Sequence, residues 1–210
     1  MAYKTNGPFG FQPRYKIGGQ PWTGGLVELP ILDGYATSLF TGDPLIGSGS
    51  NDGTVARATA GSGVVRGVFF GCKYTNSSGE LIHGAYWPAS TTVLTGTTPY
   101  ALVIEDPDVV WTVQEDNGSG AAGTALALAA RGLNISFAFP AAGSTVTGMS
   151  GATIKNDTEN TTATLACKIL DLDRGHPDNQ TVGSFANWLV IFNNHALKGG
   201  TGTTGTGTAA

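Results

Sequence analysis

The chain has 210 residues, of which 40% are apolar and only 12% are charged, and its formal net charge is -4 at pH 7. Soluble domains usually carry about 25% charged residues, so much of this surface must consist of uncharged Gly, Ser, Thr, Asn and Ala. Lysine and arginine are scattered rather than clustered, which argues against nucleic acid or an anionic membrane surface as the main partner.

The first residues contain no apolar segment of the kind found in secretory signals, so we expect a chain that is made and folded in the cytoplasm. No apolar stretch approaches the about 20 residues that a membrane span requires. A membrane is therefore not an expected partner.

Residues 1–25 contain closely spaced glycines and prolines, which predict neither a helix nor a central strand. Four aromatic side chains in this stretch, Phe9, Phe11, Tyr15 and Trp22, are too apolar to remain in water. We therefore predict an extended N-terminal arm that lies on its own domain or on a neighbouring subunit. The four aromatics are its candidate anchors at a capsid or subunit interface, and deletion of residues 1–25 is expected to leave a folded body.

Residues 26–197 contain short apolar runs separated by turn residues, such as Asp33-Gly34 and Ser78-Gly79. This spacing predicts an all-β domain, either a β-barrel or a jelly-roll-like sandwich. The main runs cover residues 26–32, 54–59, 64–73, 100–105, 109–114, 133–139, 163–172 and 188–192.

Two segments of this domain favour short helices instead. Residues 124–131 are rich in Ala and Leu and precede Gly132, a residue that commonly ends helices, and residues 182–187 show a weaker pattern.

Residues 198–210 form a low-complexity tail of Gly and Thr. Such a tail is flexible by itself, and we expect it to be held most simply by other chains in an assembly.

Residues 118–123 match the glycine pattern GxGxxG and lie between a predicted strand and a predicted helix. A loop of this kind can hold a pyrophosphate, but the glycines follow the strand by four residues, and no second parallel strand carries the acidic residue that completes the motif. We therefore predict no bound dinucleotide.

The candidate metal ligands are sparse. His83, His176 and His195 have no ligand partners at helical spacing, and no catalytic nucleophile motif is present. Asp171 and Asp173, together with the nearby Asp178, suit either a hard cation or a solvated turn, and the absence of the EF-hand pattern favours the turn. The sequence predicts no metal, no cofactor and no enzymatic activity.

The two cysteines, Cys72 and Cys167, lie in apolar, strand-like runs. We interpret them as reduced, buried thiols, and the alternative is one disulfide between distant strands.

Several segments together resemble head decoration (cement) proteins of tailed bacteriophages. The likeness is best at the two ends and in the first third of the chain. It is carried by FGFQPR at residues 9–14, GQPWTG at 19–24, LFTGDPL at 39–45, RATAG at 57–61, VVRGV at 64–68 and WLVIFNNHAL at 188–197.

This resemblance implies a β-rich barrel or jelly-roll-like subunit, often a homotrimer, on the outer surface of the virion. Its partner would be the major capsid protein, and it would stabilise contacts between capsomers against the pressure of packaged DNA. It implies no role for the tail at residues 198–210.

Two other functions remain open. A carbohydrate-binding or adhesion module on a head or tail fibre would use exposed aromatics, either Tyr86 with Trp87 or Trp111, as a platform for sugars. The other is a hydrolase that acts on cell-wall glycans, although no nucleophile or metal motif supports it.

Overall fold

The computed structural model describes residues 4–49, 53–61, 63–199 and 202–206. Strands account for 38% of the structure and no helix reaches seven residues, so the all-β prediction is confirmed. The helical segments of the described residues are single 3-10 turns at Leu128–Ala130, Pro177–Asn179 and Ala196–Lys198. Over the same residues, no helix has the length and apolar character needed to span a membrane.

Sixteen strands are found among the described residues, numbered here in chain order. The first eight are β1 (Gln12–Lys16), β2 (Gln20–Pro21), β3 (Val27–Pro30), β4 (Leu39–Phe40), β5 (Pro44–Gly47), β6 (Val55–Arg57), β7 (Gly67–Thr75) and β8 (Leu81–Gly84). The others are β9 (Tyr86–Trp87), β10 (Tyr100–Ile104), β11 (Val109–Asp116), β12 (Asn134–Ile135), β13 (Phe137–Ala138), β14 (Thr153–Lys155), β15 (Cys167–Leu172) and β16 (Asn187–Phe192).

The larger sheet has eight strands, six of them in the order β12-β15-β16-β11-β1-β2. Strand β14 pairs parallel with β11 and antiparallel with β13. Strand β16 shows why the sequence suits a sheet, because Trp188, Val190 and Phe192 are buried while the residues between them are half-buried. These three side chains pack with Trp111 and Phe137 in the larger of two apolar cores.

The second sheet has six strands. Five of them follow the order β3-β10-β7-β5-β6, and the sixth, β8, pairs with β7. A parallel bridge links Ile31, directly after β3, to Val55, the first residue of β6, and so joins the two ends of this order. Phe69, Cys72 and Trp87 are fully buried in the core that belongs to this sheet. Strands β4 and β9 form a separate two-stranded ladder.

The helix predicted over residues 124–131 is wrong, because this segment forms only the 3-10 turn Leu128–Ala130. The buried Glu115 carboxylate accepts a hydrogen bond of 2.9 Å from the N–H of Leu126. The Leu126 side chain is itself buried in the larger core. These long-range contacts outweigh the modest helix propensity of alanine and leucine.

The helix predicted over residues 182–187 is also wrong. Phe185 has a φ of +59°, in the left-handed region, which interrupts a right-handed helix. Asn187 then begins β16, whose backbone pairs with β11 and β15.

The N-terminal segment contributes to the larger sheet, contrary to the expectation that it contains no central strand. Strand β1 lies between β11 and β2, and a register shift between Pro13 and Tyr15 accommodates the proline. The predicted boundary at residue 25 therefore does not separate two packing units. Residues 1–3 of the predicted arm lie outside the described residues.

Two glycines hold this segment close to the body of the protein. The N–H of Phe11 donates to the carbonyl of Gly42 at 3.0 Å, and both Gly10 and Gly42 have positive φ. A Cβ at Gly10 would lie 2.6 Å from the Cβ of Ser150, so the approach requires glycine.

Candidate interaction surfaces

Phe11 is a core residue of its own chain. Its exposed fraction is 0%, and its ring centroid lies 5.1 Å from that of Phe192 and 6.1 Å from that of Phe137. A side chain with no exposed surface has none to offer a partner. The structure therefore corrects the expectation for Phe11 from an interface anchor to a packing residue.

The other three candidate anchors, Phe9, Tyr15 and Trp22, are half-buried. Trp22 packs edge-on against Phe70, with ring centroids 5.8 Å apart, and Tyr15 pairs with Val110 in the larger sheet. Their role in contacts with a capsid or another subunit stays a prediction.

Three exposed leucines lie on neighbouring backbone segments at one end of the six-stranded sheet. The N–H of Leu94 donates to the carbonyl of Thr75 at 3.0 Å, and Thr75 pairs with Leu81 across β7 and β8. Asp33, next to Leu32, accepts the N–H of Val93 at 3.0 Å. We call this surface the leucine end, and its members with their exposed fractions are Leu32 (48%), Leu81 (60%) and Leu94 (37%).

Sequence reasoning missed the leucine end because leucines in apolar runs are expected in a core. Leu32 closes one such run, and Leu81 begins another. Which of them faces solvent depends on strand pairing, since neighbouring residues of a strand point to opposite faces. The one sequence signal that could have indicated exposed leucines was their position close to predicted turns.

The described part of the C-terminal tail, residues 202–206, lies on its own chain. The side-chain amides of Asn134 and Asn193 donate to the carbonyl of Thr203 at 2.7 and 3.1 Å. The Asn193 Oδ1 in turn accepts the N–H of Thr203 at 2.9 Å. The expectation that other chains hold this tail is therefore corrected for residues 202–206, while residues 200–201 and 207–210 lie outside the described residues.

Further hydrogen bonds continue this contact. The N–H groups of Gly205 and Thr206 donate to the carbonyls of Thr161 and Gly132 at 2.9 and 2.8 Å. A Cβ at Gly202 would lie only 2.3 Å from the carbonyl oxygen of Ala163. Gly202 and Gly205 therefore permit close backbone packing, although a repeat of glycine and threonine is typical of a linker.

Replacing Gly202 by alanine should release the tail from its groove, because backbone and asparagine atoms surround the site of the new Cβ. We expect amide hydrogen exchange at Gly205 and Thr206 to accelerate about tenfold or more. Gly25→Ala is the matched control, since a Cβ there meets nothing within 4 Å. Unchanged exchange in the Gly202 variant would show that the tail is not held by this groove.

Asp43 is a buried carboxylate with a structural role. It accepts hydrogen bonds from the backbone N–H of Phe40 at 2.9 Å and from the hydroxyl of Ser150 at 2.5 Å. Burial raises the pKa of Asp43 to about 6, and these two hydrogen bonds oppose the shift. The carboxylate thus ties the turn after β4 to the loop before β14.

Glu115 is fully buried, and burial raises its pKa to about 7, although the N–H of Leu126 and the charge of Lys4 oppose the shift. Its Oε1 and the indole Nε1 of Trp188 both lack a hydrogen-bond partner among the described residues. The indole lies near enough to lower the pKa of Glu115, but outside hydrogen-bond geometry.

The GxGxxG loop is closed by side chains of its own chain. Asp116 accepts the N–H groups of Gly118 and Gly120 at 2.8 Å each, one on each carboxylate oxygen. Asn117 Oδ1 accepts the N–H of Ala121 at 3.2 Å. The backbone donors that a pyrophosphate would need are therefore already used, and no α-helix follows within the described residues.

Two of the three acidic residues considered as cation ligands, Asp171 and Asp173, are paired with arginine side chains. Asp173 lies 3.2 Å from Arg14, and Asp171 lies 2.8 Å from Arg131 and 3.1 Å from Arg174. Across the described parts of the chain, no group of three or more His, Cys, Asp or Glu side chains is placed to hold a metal ion.

Both cysteines are free and buried, which confirms the first of the two interpretations. Burial raises the pKa of Cys72 to about 11 and also raises that of Cys167. Both thiols are therefore protonated at neutral pH and poorly reactive.

The aromatic platform considered for sugar binding is not exposed. Trp87 and Trp111 are 0% and 1% exposed and lie in the two cores. Tyr86 is half-buried and stacks on Phe40, with ring centroids 5.5 Å apart. These tryptophans stabilise the fold and present no surface to a glycan.

Comparison with known proteins identifies no relative of this chain. No protein-family model matches the chain, and no curated protein or solved structure matches it either. The function proposed below therefore depends on the fold and the surfaces described above.

Proposed function

We propose that this chain is a decoration protein of a tailed-phage head. It binds the outer surface of the capsid, contacts the major capsid protein and stabilises junctions between capsomers, without catalysing a reaction. We also propose that it acts as a homotrimer, and that its six-stranded sheet closes into a small barrel through the bridge between Ile31 and Val55.

The leucine end is the observation that supports this proposal most. Large apolar surface that stays in solvent often marks a site that binds other proteins, and Leu32, Leu81 and Leu94 leave 48%, 60% and 37% of their surface exposed on neighbouring segments. The cores of protein interfaces are also poor in charged residues. With only 12% charged residues in the chain, a partner can approach this surface at little desolvation cost.

The packing of the described segments near each terminus also supports a structural role. Residues 12–16 form a strand of the larger sheet, and residues 202–206 are hydrogen-bonded along a groove of the same chain. A subunit that must resist outward pressure on a shell benefits when segments such as residues 12–16 and 202–206 are hydrogen-bonded to the body of the protein.

The Leu81→Asp variant should bind purified, undecorated phage heads about 30-fold more weakly than the parent chain, because a buried charge at an interface is costly. The measurement is a binding isotherm from co-sedimentation. Leu81 is 60% exposed in the free chain, so the variant should fold normally. Leu197→Asp is the matched control, because Leu197 is 56% exposed and follows β16 of the other sheet.

Equal binding by the parent chain and both variants would exclude the leucine end as the contact surface. The copy number in purified virions, measured by quantitative mass spectrometry, tests the wider proposal. A fixed ratio to the major capsid protein supports a protein that covers the shell. Absence from the particle would overturn the proposal. An adhesion module or a cell-wall hydrolase would then be the alternative functions, and turnover of peptidoglycan by the purified protein is the direct assay for the hydrolase.

A further inference from the structure

A small cavity lies between the N-terminal segment, the 3-10 turn Pro177–Asn179 and the start of β16. Its volume is about 220 Å³. Its wall combines the aromatic rings of Phe9 and Phe185, the amides of Gln114, Asn179 and Asn187, and the charged side chains of Lys4 and Asp178.

The cavity has a floor that is fixed by two side-chain amides. Gln114 donates to the carbonyls of Thr5 and Phe185 at 3.1 Å each. Asn179 donates to the carbonyls of Asp173 and Asn187 at 2.7 Å each. Because their N–H groups are bonded to backbone carbonyls, these amides hold the cavity open without an added ligand.

Asn187 differs from these two amides. Its backbone is bonded to Asn179, but its side-chain amide makes no hydrogen bond to any described residue, and its Oδ1 is buried. Buried polar atoms in native proteins are nearly always paired with protein or ordered water. An amide offers a donor at one end and an acceptor at the other, so rotation of the side chain can present either to a ligand.

Phe185 lines the same cavity from an unusual backbone position. Its φ of +59° is rare for a bulky aromatic residue, and the hydrogen bond from Gln114 to its carbonyl helps to hold it there. Residues held in such conformations concentrate at ligand-binding sites. With Phe9, the ring gives the cavity an apolar wall beside its polar floor.

From this arrangement we propose that the cavity binds one sugar ring, the terminal residue of a glycan. Sugar hydroxyls both donate and accept, which suits the amide of Asn187, the acceptor Asp178 and the ammonium group of Lys4, which also donates to the carbonyl of Thr181. The C–H face of a sugar ring suits the side chains of Phe9 and Phe185. Because Lys4 and Asp178 carry opposite charges, the cavity favours a neutral ligand over an anion or a cation.

The size of the cavity limits the ligand to one ring. Sites for larger organic ligands enclose about 300–1,000 Å³, more than the 220 Å³ found here. This site is separate from the buried Trp87 and Trp111, and it does not depend on the proposed capsid role.

Saturation-transfer NMR on the full chain tests the proposal with glucose, galactose, mannose, N-acetylglucosamine and N-acetylgalactosamine as probes. At least one probe should bind with a Kd of about 1 mM or lower. Asn187→Ala should weaken that binding at least about tenfold without lowering the melting temperature, because the side chain makes no hydrogen bond to the protein. Gln20→Ala, on the exposed strand β2, is the control and should bind like the parent chain.

A second measurement needs no variant. Titration with the bound sugar should shift the backbone amide resonances of His176, Asp178 and Asn179 and of residues 185–187, and leave those of the leucine end unchanged. No binding by any of the five probes, equal binding by Asn187→Ala, or shifts that fall elsewhere would each overturn the proposed sugar site.

Discussion

Replacing Phe11 by alanine should lower the free energy of unfolding by about 3–5 kcal/mol, the usual cost of removing a buried phenylalanine. Phe11 has no exposed surface and contacts the rings of Phe137 and Phe192 in the larger core. The cavity left by the side chain would lie between rings that backbone pairing holds in place, so it cannot close easily. Urea denaturation at fixed pH measures the change.

Phe9→Ala is the internal control for this experiment. Phe9 is half-buried in the same segment, so its truncation should cost about 1 kcal/mol. Equal losses for the two variants would contradict the assignment of Phe11 to the core. A variant of Phe11 that is as stable as the parent would contradict it more directly.

The position of Phe11 also changes how an N-terminal deletion must be interpreted. Removal of residues 1–25 would take away β1 and β2, and with them the ladder that pairs β1 with β11. The deletion would therefore destabilise the larger sheet, and loss of capsid binding by such a chain would not identify a contact. Single substitutions at Tyr15 or Trp22 are the sharper test of those anchors.

Replacing Glu115 by glutamine should raise the free energy of unfolding by up to about 3 kcal/mol at pH 8 and change it little at pH 4. Burial raises the pKa of Glu115 from its ordinary 4.5 to about 7 in the folded chain. The folded state therefore holds this proton more tightly than the unfolded state. Its stabilising contribution is fully present below pH 4.5 and is lost as the pH rises through 7.

The glutamine variant retains an oxygen for the N–H of Leu126 and removes the buried charge. Comparison of the unfolding free energy of parent and variant from pH 4 to pH 8 gives the result, because other titrating groups contribute equally to both chains. Glu28→Gln is the control, since the Glu28 side chain is 48% exposed and its effect should stay within about 0.5 kcal/mol. A constant difference across this pH range would show that Glu115 does not titrate as described.

The local sequence determined the fold class and the burial of the strands. Turn residues separate the apolar runs, and in β16 the alternation of Trp188, Val190 and Phe192 with half-buried residues matches the two-residue period of a strand. The burial of Cys72 and Cys167 followed from the same signal. These features depend on neighbours in sequence, so they could be predicted from it.

Contacts between distant residues decided the features that sequence reasoning missed. Residues 124–131 have helical composition, but the bond from Leu126 to Glu115 and the burial of Leu126 fix another path. Residues 202–206 resemble a flexible linker, but Asn134 and Asn193 supply hydrogen bonds that only the folded chain places together. The composition of a segment indicates how much conformational entropy it loses when it becomes ordered. It does not indicate which distant residues supply the contacts that compensate for this loss.

The candidate sites also depended more on contacts between distant residues than on the local sequence. The aromatic residues of the Gly- and Pro-rich segment were predicted to be anchors, but only the folded chain shows that Phe11 packs in its own core while Leu81 remains in solvent. The cavity at Asn187 joins residues from both ends of the chain, including Lys4 and Asp178, and no local pattern predicts such a meeting. The sequence by itself determined an all-β chain with a low-charge surface. The tertiary structure alone decided which side chains are exposed to solvent, because the exposed face of a strand is set by the strands beside it.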